Sequence, residues 1–224
     1  MATRKLPLFP RFSGACLRLM AALLSRTSVE GLDNIPESGP VLVICNHSSN
    51  ADGMLLMGFV VPRMGRPMTW LGKEEAVKWP VFGWAMRQNG VVGVRRGAGD
   101  LEAFKLAKSV LDGGGVLTIF PEGTRSPTGA MQEAKEGATV LAVRSGVPIL
   151  PLAIVGSQRF WPKGKRLPHF GRSMTVRVGE PFSLTMQKGQ DRHESLRLAT
   201  VEMMEHIAAL LPPEQRGVYG AAER

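Results

Sequence analysis

Short apolar runs rich in β-branched residues recur along this chain, and three of them stop abruptly at a polar cluster. Val41-Leu42-Val43-Ile44-Cys45 runs into Asn46-His47-Ser48-Ser49-Asn50-Ala51-Asp52. Gly90-Val91-Val92-Gly93-Val94 ends in Arg95-Arg96, and Val116-Leu117-Thr118-Ile119-Phe120 in Pro121-Glu122-Gly123-Thr124-Arg125-Ser126. Runs of this length and composition read as buried strands. Further strands are expected over residues 67–71, 148–155 and 173–178. Helical patterns lie between them: 74–88, broken by Pro80 and Gly83; 101–111, with Asp100 as N-cap; 133–144; and 191–211. Such alternation predicts one α/β domain with a mostly parallel, mixed sheet flanked by helices. Ligands of such sheets bind off the carboxyl ends of the strands. The three polar clusters stand at those ends, so one shared site is expected.

The first cluster holds a histidine and, five residues on, an aspartate. On a regular helix that spacing sets two side chains about 140° apart, so His47 and Asp52 meet only across a turn. Asn46, Ser48, Ser49 and Asn50 are residues that build turns and cap helix starts. The expected local structure is a strand end, a hydrogen-bonded turn and a helix entered near Asp52. An imidazole titrating near pH ~6.5 has a neutral form ready to take a proton. A carboxylate on its other nitrogen would fix the tautomer. Equally, the same two residues would serve as plain turn and helix caps. Cys45 shares strand parity with His47, which allows a Cys–His nucleophile pair; as the end of an apolar run it also reads as inert core.

Arg95, Arg96 and Arg125 place guanidinium groups at strand ends, where they could grip a phosphate bidentately. A structural ion pair or simple exposure accounts as well for any one of them. Glu122 beside an anion would repel it unless paired, with Arg125, Arg96 or a substrate hydroxyl as the expected partner. Gly123 lets the backbone approach closely and offers its N–H to a ligand. Gly93 to Gly99 lacks the Lys-Ser/Thr ending of a nucleotide-phosphate loop. A base, an anion grip and apolar walls together suit deprotonation of a hydroxyl on a phosphorylated, lipid-like molecule for attack on an activated acyl group. Backbone N–H groups of the His47 turn are candidate donors to the resulting oxyanion.

With 224 residues the chain can bury a sizeable core as one domain. Its net charge of +9 points to an anionic partner. A single tyrosine, and the lack of zinc-finger or RNP spacing, argue against nucleic acid. Cys16 and Cys45 read as separate reduced thiols, and His169, His193 and His206 show no metal-ligand spacing. Residues 10–26 pattern as an amphipathic helix, with Phe12, Cys16, Met20 and Leu23 on one side and Arg11, Arg18 and Ser25 on the other. It either packs on the domain or lies in a membrane interface, and the two are compatible. Residues 54–61 are apolar but far short of the ~20 needed to span a bilayer, and suit a wall beside an acyl chain. Arg18 interrupts what would be a signal-peptide core, so a chain held on the cytoplasmic side is expected. Trp70, Trp79, Phe82 and Trp84 read as core, and the basic, aromatic stretch 159–166 as either a lipid contact or a solvated loop. The expected division is a basic amphipathic helix over 1–28, a domain over 29–213 and a flexible tail over 214–224.

Asn46 to Asp52 resembles the His-x4-Asp block of the glycerolipid acyltransferase superfamily, and Phe120 to Ser126 its Pro-Glu-Gly-Thr-Arg-Ser block. Gly90 to Arg96 is similar to the block whose terminal arginine contacts the acceptor phosphate, and Val147-Pro148-Ile149-Leu150-Pro151-Leu152 to the fourth, Pro-rich block. The blocks occur in family order over residues about 31 to 156, and their combination is far more specific than His-x4-Asp alone. The pattern is closest to the bacterial 1-acylglycerol-3-phosphate acyltransferases. That resemblance implies His47 as base on the sn-2 hydroxyl, Asp52 as its orienting carboxylate, and an acceptor site shaped by Arg96, Glu122, Gly123, Thr124 and Arg125. Lys135 would add positive charge. It further implies acyl-CoA or acyl carrier protein as donor, no metal or redox cofactor, a lysophosphatidate-like acceptor, and peripheral attachment to an anionic membrane surface. Arg95 departs from the family's usual residue, which leaves the division of labour between the paired arginines open. A different lysolipid or glycerol-3-phosphate acceptor is the rival within the enzyme class, and a non-catalytic lipid-binding protein the rival outside it.

Overall fold

Among the described residues seven strands make one sheet: β1 Arg26–Glu30, β2 Val41–Cys45, β3 Met68–Lys73, β4 Val91–Val94, β5 Val116–Ile119, β6 Ile149–Val155 and β7 Ser173–Val178. Their order is β1-β7-β6-β2-β5-β3-β4, and every neighbouring pair is parallel except β6–β7. The computed structural model describes residues 5–94, 100–185 and 191–220. The mixed, mostly parallel α/β architecture expected from the alternation is therefore present.

β2 occupies the centre, and each of its residues is fully buried. A continuous aliphatic run is what a strand covered on both faces requires. Its side chains alternate: Val41, Val43 and Cys45 enter one core cluster, Leu42 and Ile44 the other. The first cluster lies under the N-terminal helix α1 Leu8–Leu24 and the helix formed by α2 Asp52–Leu55, a π segment Leu56–Val60 and α3 Val61–Met64. Two short helices, α4 Glu74–Val77 and α5 Pro80–Gln88, link β3 to β4. The second cluster lies under α6 Asp100–Asp112, α7 Gly137–Ser145 and the final helix, with the one-turn α8 Ser157–Phe160 between β6 and β7 and α9 Arg192–Ala209 closing the set. Asp191 caps α9, accepting from His193 N at 2.9 Å and Glu194 N at 3.1 Å.

The π segment has a local cause that also seats α1. Pro62 has no N–H, so the carbonyl four residues back, on Gly58, loses its helical donor. The Arg18 guanidinium of α1 donates to that oxygen at 2.8 Å. Close approach of the helices is tightest at Gly14, where a Cβ would stand 3.1 Å from the Met57 carbonyl. Arg18 therefore points inward, contrary to the outer polar face expected of it. The face left outside is the apolar one, with Phe12 67% and Leu23 74% exposed.

Other differences have similar reasons. β1 was not expected as a strand, because Arg-Thr-Ser-Val-Glu is a polar edge with alternate side chains in solvent. It pairs with β7, so the expected boundary after residue 28 cuts through the sheet. Of the four aromatics expected in the core only Trp70 is buried; Trp79, Phe82 and Trp84 are exposed. The flexible tail expected over 214–224 is also corrected through residue 220. Gln215 is buried, its carbonyl accepts from Met131 N at 2.9 Å, and the Tyr219 hydroxyl accepts from Ala134 N at 2.9 Å. Arg95 and Arg96 lie outside the described residues.

Replacing Arg18 by leucine keeps the apolar stem but strands the Gly58 carbonyl. The expected loss is about 2 kcal/mol of unfolding free energy, the range for a hydrogen bond to a charged group, read as a lower urea midpoint with unchanged slope.

Candidate active site

Three strand ends converge on His47. Leaving β2, the chain turns through Asn46-His47-Ser48-Ser49 and enters α2 at Asp52, as the turn-forming residues predict. Asn46 extends the ladder with its side chain: Nδ2 donates to Ile154 O at 3.1 Å, and Oδ1 accepts from Ile154 N at 2.8 Å. The turn after β5 clamps the His47 backbone from both sides. Glu122 Oε1 accepts from His47 N at 2.8 Å, and Ser126 N donates to His47 O at 2.7 Å. Phe120 stacks on the imidazole with ring centroids 4.1 Å apart.

His47 Nδ1 lies 2.8 Å from Asp52 Oδ2. Asp52 is wholly buried, whereas the His47 side chain is 22% exposed. Oδ2 also accepts from the backbone N–H groups of Ser48 and Ser49, each at 2.8 Å, and Oδ1 from the Ser157 hydroxyl at 2.6 Å. A carboxylate that accepts from all its other neighbours has no proton to offer, so Nδ1 carries the hydrogen and Nε2 keeps its lone pair. The structure thus joins His47 to Asp52 in the geometry of an oriented base.

Several expected partners are different. Glu122 is 4% exposed and pairs with no arginine among the described residues. Besides His47 N, it accepts through Oε2 from Gln132 N at 2.9 Å and Gln132 Nε2 at 3.2 Å. Burial pushes its carboxyl up, and the hydrogen bonds from His47 and Gln132 pull partly back. It holds the His47 turn instead of facing the cavity. The Gly123 N–H, expected to meet a ligand, donates to Phe120 O at 2.9 Å and closes the turn. The N–H groups of His47, Ser48, Ser49 and Ala51 are likewise taken by side chains, so these four are not the expected oxyanion donors. Cys45 is fully buried, and burial first, then Asp52 and Glu122, raises its pKa well above the ordinary thiol value. A neutral thiol in the core is no nucleophile, which removes the Cys–His pair.

Beside His47 a cavity of about 820 Å³ runs under α1, walled by Leu17, Met54, Met57, Met86 and Val91, with Thr124 and Arg125 on its lining near the histidine. That volume suits a lipid-sized chain. Arg125 reaches the Asn50 side-chain oxygen through a guanidinium nitrogen, and its own carbonyl accepts from Lys163 Nζ at 2.6 Å. Lys135 is exposed and lies over Gly123, whose φ of +70° and open α-carbon admit the lysine stem. Among the described residues, no three His, Cys, Asp or Glu side chains group as a metal site. Sequence reasoning missed Ser157 and Gln132, and took Asn50 as a turn residue without its bond to Arg125. Ser157 follows Val155-Gly156 at the end of β6, so the strand-end rule applied to a fourth strand would have found it.

A family model described as "Acyltransferase" matches residues 26–155. The 1-acyl-sn-glycerol-3-phosphate acyltransferase of Pseudomonas aeruginosa is 32% identical over 92% of this chain and 77% of that protein. The human 1-acyl-sn-glycerol-3-phosphate acyltransferase alpha is 34% identical, over 63% of this chain and 50% of that one. Among solved structures, the 1-acyl-sn-glycerophosphate acyltransferase PlsC of Thermotoga maritima superposes with a TM-score of 0.68 at 30% identity, covering 90% of this chain and 76% of its own. The family match spans both the His47 turn and the Glu122–Ser126 turn that clamps it, and the chain belongs to the acyltransferase family of enzymes.

Proposed function

We propose that this protein transfers a fatty acyl group from an acyl thioester, acyl-CoA or acyl carrier protein, to the sn-2 hydroxyl of 1-acylglycerol-3-phosphate, giving phosphatidate. The observation that carries the reading is one imidazole, oriented by a buried carboxylate, at the head of an apolar cavity with a guanidinium beside it. His47 Nε2 takes the hydroxyl proton as the oxygen forms a bond to the thioester carbon. Collapse of the tetrahedral intermediate breaks the C–S bond, and the imidazolium returns the proton to the departing thiolate. Asp52 stabilises the imidazolium between those events.

Arg125 grips the acceptor phosphate, with Thr124 at the same wall and Lys135 adding charge at the mouth. Arg96 is assigned to the same phosphate on the strength of the sequence resemblance alone. Glu122 and Gly123 act one step back, through the turn that fixes His47 and places Arg125. Acyl transfer of this kind needs no metal or redox cofactor in the scheme.

The acceptor is a bilayer lipid, and the surface beside the cavity suits a bilayer. The Phe9 and Trp84 rings meet at 4.9 Å, joining α1 to α5. Around that contact Leu8 is 80% exposed, Phe12 67%, Trp79 61% and Val81 80%. Among the described residues no helix is long and apolar enough to cross a membrane. We assign this face to the headgroup–acyl boundary of an anionic leaflet, from which the acceptor slides into the cavity.

Purified protein given labelled acyl-CoA should acylate 1-acylglycerol-3-phosphate in preference to glycerol-3-phosphate and uncharged lysolipids; the reverse order refutes the acceptor assignment. His47→Ala should lower kcat by about a thousandfold, the scale of a lost general base, with an unchanged circular-dichroism spectrum. Arg125→Ala should raise the acceptor KM about tenfold, one charge-assisted phosphate contact, and leave the donor KM alone. A Phe12→Ser, Val81→Ser double variant should release the protein from anionic vesicles in a sedimentation assay, and full retention would reject the docking face.

A further inference from the structure

The loop 161–172, between α8 and β7, gathers positive charge that the fold leaves unanswered. Between Glu136 and Glu180 the chain has no acidic residue. Lys163, Lys165, Arg166 and Arg172 of the loop are exposed, as is Arg26 at the start of β1. None of the five has a carboxylate within ion-pair distance among the described residues. The nearby Arg177, by contrast, meets Glu30 at 2.9 Å. Two large apolar side chains stand among these cations: Leu167 is 77% exposed and Phe170 63%.

The loop is tied down at both ends. At one end Ser49 Oγ donates to Trp161 O at 2.8 Å, and Lys163 Nζ to Arg125 O at 2.6 Å. Ser49 and Arg125 both line the cavity. At the other end Gly171 N donates to Leu24 O at 2.8 Å, the last residue of α1, and Arg26 N to Arg172 O at 3.0 Å. Within the loop Trp161 Nε1 donates to Lys165 O at 2.9 Å. The loop therefore runs from the edge of the cavity to the carboxyl end of the helix whose apolar side chains are left outside.

Exposed cations interleaved with exposed apolar side chains suit a leaflet, where phosphates meet the charges and the acyl boundary receives the apolar groups. An acidic protein would answer the charge as well. Continuity with α1 favours the leaflet, since the loop is bonded to the last turn of that helix, beside the exposed Leu23. We propose that the loop 161–172, together with Arg26, is a second membrane contact that binds the phosphate headgroups of anionic phospholipids, separate from the apolar α1–α5 contact. The inference rests on the reading that the exposed side of α1 meets a bilayer. Headgroups gathered on the loop lie beside the part of the cavity lining assigned to the acceptor phosphate.

The test sediments the full chain with phosphatidylcholine vesicles, with and without phosphatidylglycerol. Wild type should bind the anionic vesicles more tightly, and the excess should fall as salt is raised. A Lys165→Gln, Arg166→Gln, Arg172→Gln variant should lose about a hundredfold of its affinity for anionic vesicles, about fivefold for each charge, and bind neutral vesicles as wild type does. Its kcat on a short-chain, monomeric acceptor should be unchanged, which also reports an intact fold. Arg166→Lys with Arg172→Lys keeps the charge and should keep the affinity. Should the triple variant fail to fold, Lys165→Gln and Arg166→Gln singly, each about fivefold weaker, take its place. Undiminished binding of anionic vesicles by the charge variants overturns the proposal; if they instead show only a raised KM for an acyl carrier protein donor, the loop is a protein-docking site. The Phe12→Ser, Val81→Ser variant separates the two contacts, because binding kept there and lost in the triple variant refutes the apolar face and not the loop. Wild type that binds neither kind of vesicle overturns both.

Discussion

The Asp52 carboxylate is wholly buried and holds four donors: the His47 ring, two backbone N–H groups of the turn, and the Ser157 hydroxyl. A buried charge persists only where its lone pairs are satisfied. Satisfying this one requires β2 and β6 to end side by side, and requires the turn between β2 and α2 to curl so that Ser48 and Ser49 point their N–H groups inward. The same demand sets the tautomer of His47 and aims its free nitrogen at the cavity. Stability of the turn and readiness of the base are thus one arrangement seen twice.

The turn after β5 completes it. Glu122 and Ser126 take both backbone groups of His47, so the imidazole is fixed from the main chain as well as from Asp52. Glu122 remains buried because Gln132 occupies its second oxygen. That explains how an acidic residue stands next to the proposed phosphate site: its charge is turned into the protein, while Gly123, Thr124 and Arg125 of this turn reach the cavity lining.

Beyond the site, the helical layer over the first core carries a second coupled feature. Pro62 frees the Gly58 carbonyl, Arg18 takes it, and Gly14 lets α1 settle close enough to roof the cavity. With Arg18 and Gly14 turned to that contact, α1 leaves the large apolar side chains Leu8, Phe12, Leu19 and Leu23 on the outside. Amphipathicity here is inverted relative to a helix packed on a soluble core, which is the basis for the membrane face proposed above.

Strand-and-helix alternation, the burial of the apolar strand Val41–Cys45 and the grouping of His47, Asp52 and Arg125 at strand ends were all legible in the chain itself. Each is a local pattern whose period or turn chemistry forces one outcome. The polar edge strand β1 carries no such period, and became visible only through its pairing with β7. Partner choice was also beyond local pattern. That Glu122 bonds Gln132 and not Arg125, that Ser157 serves Asp52, and that Arg18 faces inward all depend on contacts between distant segments. Residue types set which bonds a side chain is able to make; the packed backbone decides which partner is near enough to make one.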